Sequence, residues 1–337
     1  MRISKDAVGR AAAGLWLAVL ACLAALVAAA APAAAELKVV VTIKPVHALV
    51  AGVMEGAGTP TLLVGGRASP HTFALKPSDA RALNAADVFF RVSEGVEPFT
   101  AKLVKALPDT VRVVTLADAP GIETLGARRG GTFEAHVHEH GLDGVQKFWA
   151  SDHGADDDDH DGRGSRDGHI WLDPENAKAM VAEIARALSA ASTADAALFA
   201  RNAERVTAEI DALEAKLRRE LDPVRNKPFV VFHDAYQYFE RRFGLDALGS
   251  ITISPEAAPS ARRLIEIRRK IVALHAACVF GEPQFNPNLV AAVVEDTGAR
   301  TGTLDPEGAL VEPGPGAYAT LLENLAHELV SCLAQAR

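Results

Sequence analysis

The chain has 337 residues, 49% of them hydrophobic, and a formal net charge of -8. That length supplies core for two domains or one large one. The negative balance argues against a nucleic-acid partner and suits a soluble protein that attracts cations, and 3 methionines are too few for a copper site built on thioethers.

Arg2, Lys5 and Arg10 precede an apolar run from Ala11 to Ala31, and Ala33-Ala34-Ala35 forms an A-x-A cleavage pattern before Glu36. A basic start, an apolar middle and small residues at the end predict a cleavable signal peptide over residues 1–35, and so export. Two other readings stay open. One is a membrane anchor, because the run is nearly long enough to span a bilayer. The other is a lipoprotein, because Val19-Leu20-Ala21-Cys22 resembles a lipobox. The Ala-rich end favours cleavage, and the run continues well past Cys22. Outside this segment the remaining cysteines are Cys278 and Cys332. An oxidising compartment makes them most simply a disulfide tying a strand to the C-terminal helix, with two buried free thiols as the alternative.

From Leu37 the chain alternates β-rich runs with helical stretches. LKVVVTI reads as a buried parallel strand and Pro45 to Met54 as the helix after it. PTLLV is the next strand and runs into GGRASPHTFAL, a Gly/Ser/Pro loop carrying His71. A helix follows from Lys76-Pro77-Ser78-Asp79 to Ala85, then DVFFRV as strand, PFTAKLVKAL as helix and VRVVTL as strand. This βαβ repetition implies a parallel sheet with helices on both faces.

An acidic, His-rich loop over residues 132–168 interrupts the pattern. The stretch from Thr132 to Pro174 holds six of the 11 histidines and a run of four aspartates. Imidazole and carboxylate at this density attract metal ions. Poor apolar spacing and frequent Gly leave little burial to offset the entropy of ordering it. A solvated acidic linker with incidental histidines is the plainer reading.

Regular structure restarts at Asp173-Pro174-Glu175, a helix cap followed by Pro at the first helical position. One helix covers Glu175 to Ser189. A long amphipathic helix then covers Ala194 to Leu221, with Leu198, Ala203, Val206, Ile210, Leu213 and Leu217 near one face. A helix that long between two βα blocks predicts an interdomain strut. The second block has FVVF as a strand, HDAYQYFERRF as loop and helix, and short strands in DALGSITI, ACVFGEP and ARTGTLDP. Helices fit Ser260 to Ala273, Asn286 to Asp296 and Tyr318 to Leu333. The prediction is an α/β protein of two lobes, 36–190 and 224–337, joined by a linking helix over 191–223. Open α/β sheets bind ligands beyond the carboxyl ends of their strands, so two facing lobes form a cleft there.

His71 lies in a loop after a strand, His233 directly follows FVVF, and His169 closes the acidic loop just before Trp171. All three sit where such a sheet presents a ligand, and three neutral imidazoles are a partial shell typical of zinc. The fourth ligand is open among Asp305, after ARTGTL, Glu282, after ACVFG, and water. His47 reads as a supporting or capping residue near the cleft, and His275 and His327 as helix residues. Asp234 either orients the neighbouring His233 or caps the helix after it. Glu240-Arg241-Arg242 and Arg268-Arg269-Lys270 read as solvated charge runs.

Five segments in order, ASPHTFALKPSDARAL, HIWLDPENA, FVVFHDAYQYFERRFGL, CVFGEPQFNP and TGTLDPEG, carry a family resemblance. The chain resembles the periplasmic metal-binding proteins that feed ABC transporters, and within them the zinc-specific ZnuA group, over essentially its whole mature length. The resemblance implies two four-stranded Rossmann-like lobes with mostly parallel sheets, one long rigid connecting helix, the metal in the cleft, and small lobe motions on binding. It places three ligands at His71, His169 and His233 and an aspartate ligand at Asp305. Manganese-binding relatives usually carry Glu at the third position, so His233 favours zinc. Some zinc members place Glu just before the first histidine, where this chain has Pro70. The zinc branch also pairs the cysteines matching Cys278 and Cys332.

The implied function is capture of periplasmic Zn²⁺ by a monomeric binding protein and delivery to an ABC permease driven by its ATPase. Zinc is cargo, the protein is not an enzyme, and affinity falls as pH drops through the ordinary histidine value near 6.5. His136, His138, His140, His153 and His160 in the acidic loop form a weaker secondary site. A manganese-binding member of the same group is the nearest alternative. A zinc hydrolase is a competing class, but H-E-x-x-H, a nucleophile elbow and a phosphate loop are all missing from the sequence. A surface adhesin is a third.

Overall fold

The computed structural model describes residues 36–128, 166–252 and 259–335. The predicted signal peptide, residues 1–35, and His136, His138, His140, His153 and His160 of the acidic loop lie outside the described residues. Among the described residues no helix is long and apolar enough to cross a membrane.

The first block places β1 (Val39–Val41), β2 (Thr61–Leu62), β3 (Val88–Arg91) and β4 (Arg112–Thr115) in one parallel sheet of order β2-β1-β3-β4. Helices α1 (Lys44–Val53), α2 (Pro77–Asn84) and α3 (Thr100–Val104) connect them. Val39, Val40 and Val41, and Phe89 and Phe90, are buried on both sides of their strands, as a sheet covered on both faces requires. The second block repeats the plan with β5 (Phe229–Val231), β6 (Ala247–Ser250), β7 (Cys278–Gly281) and β8 (Arg300–Thr303), in the order β6-β5-β7-β8, again all parallel. Its helices are α6 (Gln237–Phe243), α7 (Ala261–Ala273), α8 (Asn288–Val294) and α9 (Ala317–Leu333). In each sheet the strand order reverses between the two central strands, which places a switch point at β1/β3 and another at β5/β7.

Between the blocks run α4 (Pro174–Ala191) and α5 (Ala196–Leu221). Asp173 caps α4 by accepting from the Glu175 amide at 2.9 Å, and Pro174 takes the first helical position. The 26 residues of α5 span about 39 Å. Phe199, Val206, Ile210, Leu213, Leu217 and Leu221 form its buried stripe. That stripe packs on α1 of the first block, on α4, and on α9 of the second. The result is one continuous apolar core running through both blocks, with a smaller cluster around Phe232, Ile267 and Val279 in the second.

Polar ties reinforce this junction. Lys44 Nζ donates to the carbonyls of Gly308, Ala309 and Val311 at 2.8, 2.8 and 3.0 Å. Trp171 Nε1 donates to Pro306 O at 2.8 Å, and Tyr318 Oη donates to Trp171 O at 2.9 Å. Cys278 at the start of β7 and Cys332 in α9 form the disulfide, with Cα atoms 6.3 Å apart. Closing a 54-residue separation contributes about 4 kcal/mol in the chain-entropy account.

Candidate metal centre

His71, His169 and His233 come from three separate turns. His71 is the middle residue of a 3-10 turn, Pro70–Thr72, after β2. His169 precedes the buried 3-10 turn Ile170–Leu172. The residue before it is Gly168, where an added Cβ would lie 2.5 Å from Val96 Cγ2 and force Val96 or the turn to shift. His233 leaves β5 at the switch point of the second sheet, and it is 2% exposed.

The three rings converge. Their centroids are 5.5 Å apart for His71 and His169, 5.7 Å for His71 and His233, and 5.3 Å for His169 and His233. One ring nitrogen from each lies within 4.8 Å of the other two. His169 Nδ1 faces Asp167 Oδ1 at 2.7 Å, and His233 Nδ1 faces the Glu282 carboxylate at 2.7 and 2.8 Å. An ionised carboxylate only accepts, so both Nδ1 atoms donate and, in the neutral imidazoles that bind metal, both Nε2 atoms carry lone pairs. Those two Nε2 atoms face each other at 3.4 Å. His71 Nε2 is buried with no hydrogen-bond partner.

With both imidazoles neutral, lone pairs facing each other at that distance repel, and a cation held between them would relieve the repulsion. Two nitrogens on one tetrahedral zinc at ~2.05 Å stand ~3.3 Å apart, close to the separation of the Nε2 pair. Electrostatics prepare the carboxylate-free ring of His71 and the carboxylate-held ring of His233 differently. Burial, with His169 and His233 adding to it, pushes the His71 imidazole down to about 2, so it stays neutral. Burial also pulls on His233, but the Glu282 carboxylate outweighs it and holds the imidazole above its ordinary value.

The acidic candidates are otherwise engaged. Asp305 accepts from the amides of Ala309 and Leu310, each at 2.8 Å. Glu282 grips His233 and accepts from Tyr236 Oη at 3.3 Å. Among the described residues, the cluster of mutually close donors contains the three histidines and no carboxylate. Glu307 is also buried nearby; burial, with Glu282 and Asp305 adding to it, pushes its carboxyl up to about 8. Arg128 holds the Asp234 carboxylate, His233 Nδ1 faces Glu282 instead, and the N-cap of α6 is Tyr236. His47, in α1, donates from Nε2 to Pro60 O, 3.0 Å away. His275 is no helix residue but takes a left-handed conformation after α7, at φ 51°. His327 lies in α9, 3.5 Å from Ser331 Oγ.

Asp167 escaped the sequence reading. Its signal was the D-G-H spacing: an Asx side chain two residues ahead reaches both the amide of His169, at 3.0 Å, and its ring.

A model of the family described as zinc-uptake complex component A, periplasmic, matches residues 39–332. The chain belongs to this zinc-uptake component A family. It is 47% identical over 304 residues to the high-affinity zinc uptake system protein ZnuA of Brucella abortus (strain 2308), covering 88% of this chain and 91% of that protein. The fold matches a solved structure described as the crystal structure of ZnuA at TM-score 0.69 and 23% identity, covering 88% of this chain and 99% of that one. It also matches a Mn-bound periplasmic metal-binding protein from candidatus liberibacter asiaticus at TM-score 0.67 and 19% identity, covering 88% and 99%. Members of the zinc-uptake component A family are solute-binding proteins.

Proposed function

We propose that the chain is the periplasmic zinc-binding component of an ABC transporter, capturing Zn²⁺ and handing it to a membrane permease driven by its ATPase. The observation that carries this reading is the trio of imidazole nitrogens at His71, His169 and His233, two of them facing at 3.4 Å with their Nδ1 atoms held by carboxylates. Nitrogen donors favour zinc over manganese, which prefers oxygen. The name of the Brucella abortus relative points the same way.

Water completes the tetrahedron in this reading, because Asp305 and Glu282 are engaged elsewhere. The protein binds and releases rather than turns over, since Asp167 and Glu282 hold imidazoles instead of standing free as bases. Residues 1–35 serve as the export signal. Residues 36–190 and 224–337 act as two lobes about the linking helix, and the shared core through α5 keeps their motion small. The histidines at 136, 138, 140, 153 and 160 form a weaker accessory site.

Calorimetric titration of zinc and of manganese into metal-free protein tests this. One tight zinc site per chain is expected, with manganese weaker, and removal of residues 132–165 should lower total stoichiometry while leaving the tight site. A chain preferring manganese, or losing the tight site with the loop, would overturn the assignment. Asp305→Asn should leave zinc affinity within a few-fold; a loss on the order of 100-fold would make Asp305 the fourth ligand.

A further inference from the structure

Two short segments flank the acidic loop, and both are tied to the second block beside the histidines. Gly126 and Arg166 form an antiparallel bridge, and Asp167 N donates to Leu125 O at 2.9 Å. Tyr238 of α6 stitches this clasp, donating to Asp167 O at 2.7 Å and accepting from Leu125 N at 2.9 Å. Arg128 then reaches across to two carboxylates. Its Nε donates to both oxygens of Asp234 at 2.9 and 3.0 Å, and its Nη2 to Asp234 Oδ1. Its Nη1 and Nη2 each donate to Glu240 at 2.8 Å. Glu240 is fixed in turn by accepting from Ala247 N at 3.0 Å.

The consequence lies in which residues are joined. Asp167, on one side of the clasp, holds the ring of His169. Asp234, on the other, is bonded in sequence to His233. Arg128 therefore ties together the two segments that set the His169 to His233 separation. Side-chain exposures of 20, 18 and 6% for Arg128, Asp234 and Glu240 place the pairs where solvent screens them weakly, and the bidentate forks fix direction as well as distance.

We propose that Arg128 is a positioning residue for the three-histidine site, clamping the His233 turn against the segment that carries Asp167 and His169. The clamp preorganises the facing Nε2 pair before metal arrives. The proposal leans on the zinc reading of the site only for its kinetic test.

Arg242 supplies the control. Its guanidinium pairs with Asp173 at 2.7 and 2.9 Å with similar exposure, 22% against 9%, yet it touches neither His233's neighbour nor the clasp. Stopped-flow zinc release, measured with excess chelator well below the melting temperature, should rise roughly tenfold or more in Arg128→Ala. Arg128→Lys should recover part of that loss, and Arg242→Ala should stay within about twofold of wild type even where it lowers the melting temperature equally. Asp234→Asn, a milder change that leaves Glu240 in place, should rise a few-fold and serves if Arg128→Ala fails to fold. Release unchanged in both variants, or raised as much by Arg242→Ala, overturns the assignment. Nitrogen-15 histidine spectra of the metal-free protein separate this from a failure of the zinc reading. The His169 and His233 ring signals should shift in Arg128→Ala and hold in Arg242→Ala whether or not the wild type binds zinc; ring signals that hold in both overturn the positioning role.

Discussion

The two sheets share a strand order and a switch point, and each switch point holds a buried glutamate, but the two carboxyls do opposite things. At β1/β3, Glu97 accepts from the amides of Val92 and Ser93 at 2.9 and 3.0 Å and shares a hydrogen bond with Thr42 Oγ1. It is fully buried and touches no histidine, so it seals the end of its sheet. At β5/β7, Glu282, directly after β7, grips His233 Nδ1 and leaves the other ring nitrogen facing His169. Identical topology thus gives a plug in one block and half a metal site in the other. What differs is the residue facing the carboxyl: a hydroxyl that closes a local network, or an imidazole with a second nitrogen to offer. Fold supplies the place, and the side chain opposite supplies the function.

Substitution should separate the two carboxyls. His233→Ala removes the group Glu282 serves, and zinc affinity should drop on the order of 100-fold or more, since about 3 kcal/mol per ligand is a fair share of a structural zinc site. Calorimetry that finds a loss of only a few-fold would remove His233 from the site. Glu282→Gln should cost roughly 10- to 100-fold at neutral pH, the usual effect of losing a carboxylate behind a ligating histidine. Its pH profile is more telling. His233 must shed its proton to bind metal, and Glu282 holds its imidazole above the ordinary 6.5. Wild-type affinity should therefore begin falling above pH 6.5 as the solution is acidified. The Gln variant, lacking the charge that favours imidazolium, should begin its fall at lower pH. His71, held at about 2, adds no step in either protein. An acid limb that fails to move in the variant would mean another group controls release.

The parts of this arrangement visible in the sequence are those written in short-range patterns. VVV in β1 and VFFR in β3 read as buried strands because a parallel sheet covered on both faces needs continuous apolar runs. The stripe of α5 reads at helical spacing. The three histidines were visible because each stands at the end of a strand or the close of a loop. Their supports were not, because those pairings cross long stretches of chain. His233 and Glu282 are 49 residues apart, and Glu282 read as one candidate for the fourth ligand rather than as an orienter. Asp234 read as either an orienter of His233 or a helix cap, yet its carboxylate is held by Arg128, 106 residues away. Glu240 and Arg242 sat in what looked like a solvated charge run. In the structure Glu240 is 4% exposed and held by Arg128, and Arg242 reaches Asp173. Glu97 carried no such signal, since the second glutamate of SEGVEPFT looks like loop surface until the fold closes over it.

Glu97→Gln is the smallest change and the sharpest test of the contrast. Glutamine keeps the pattern: its carbonyl accepts from Val92 and Ser93, and its amide donates to Thr42 Oγ1. Zinc affinity should stay within about twofold, since Glu97 contacts no ligand or support of one. Stability should change in a pH-dependent way. Burial pushes the Glu97 carboxyl up to about 7 from an ordinary 4.5, despite the hydrogen bonds that oppose it. Between those two values the folded protein holds a proton that the unfolded chain has lost, so stability falls as pH rises through that window. The glutamine cannot titrate, and that loss disappears from its profile. Urea unfolding of the metal-free proteins should find the variant about 1 to 3 kcal/mol more favoured, relative to wild type, at pH 8 than at pH 4.5. Equal slopes for the two proteins would show that Glu97 stays ionised in its plug, and the two switch points would then differ only in what faces the charge.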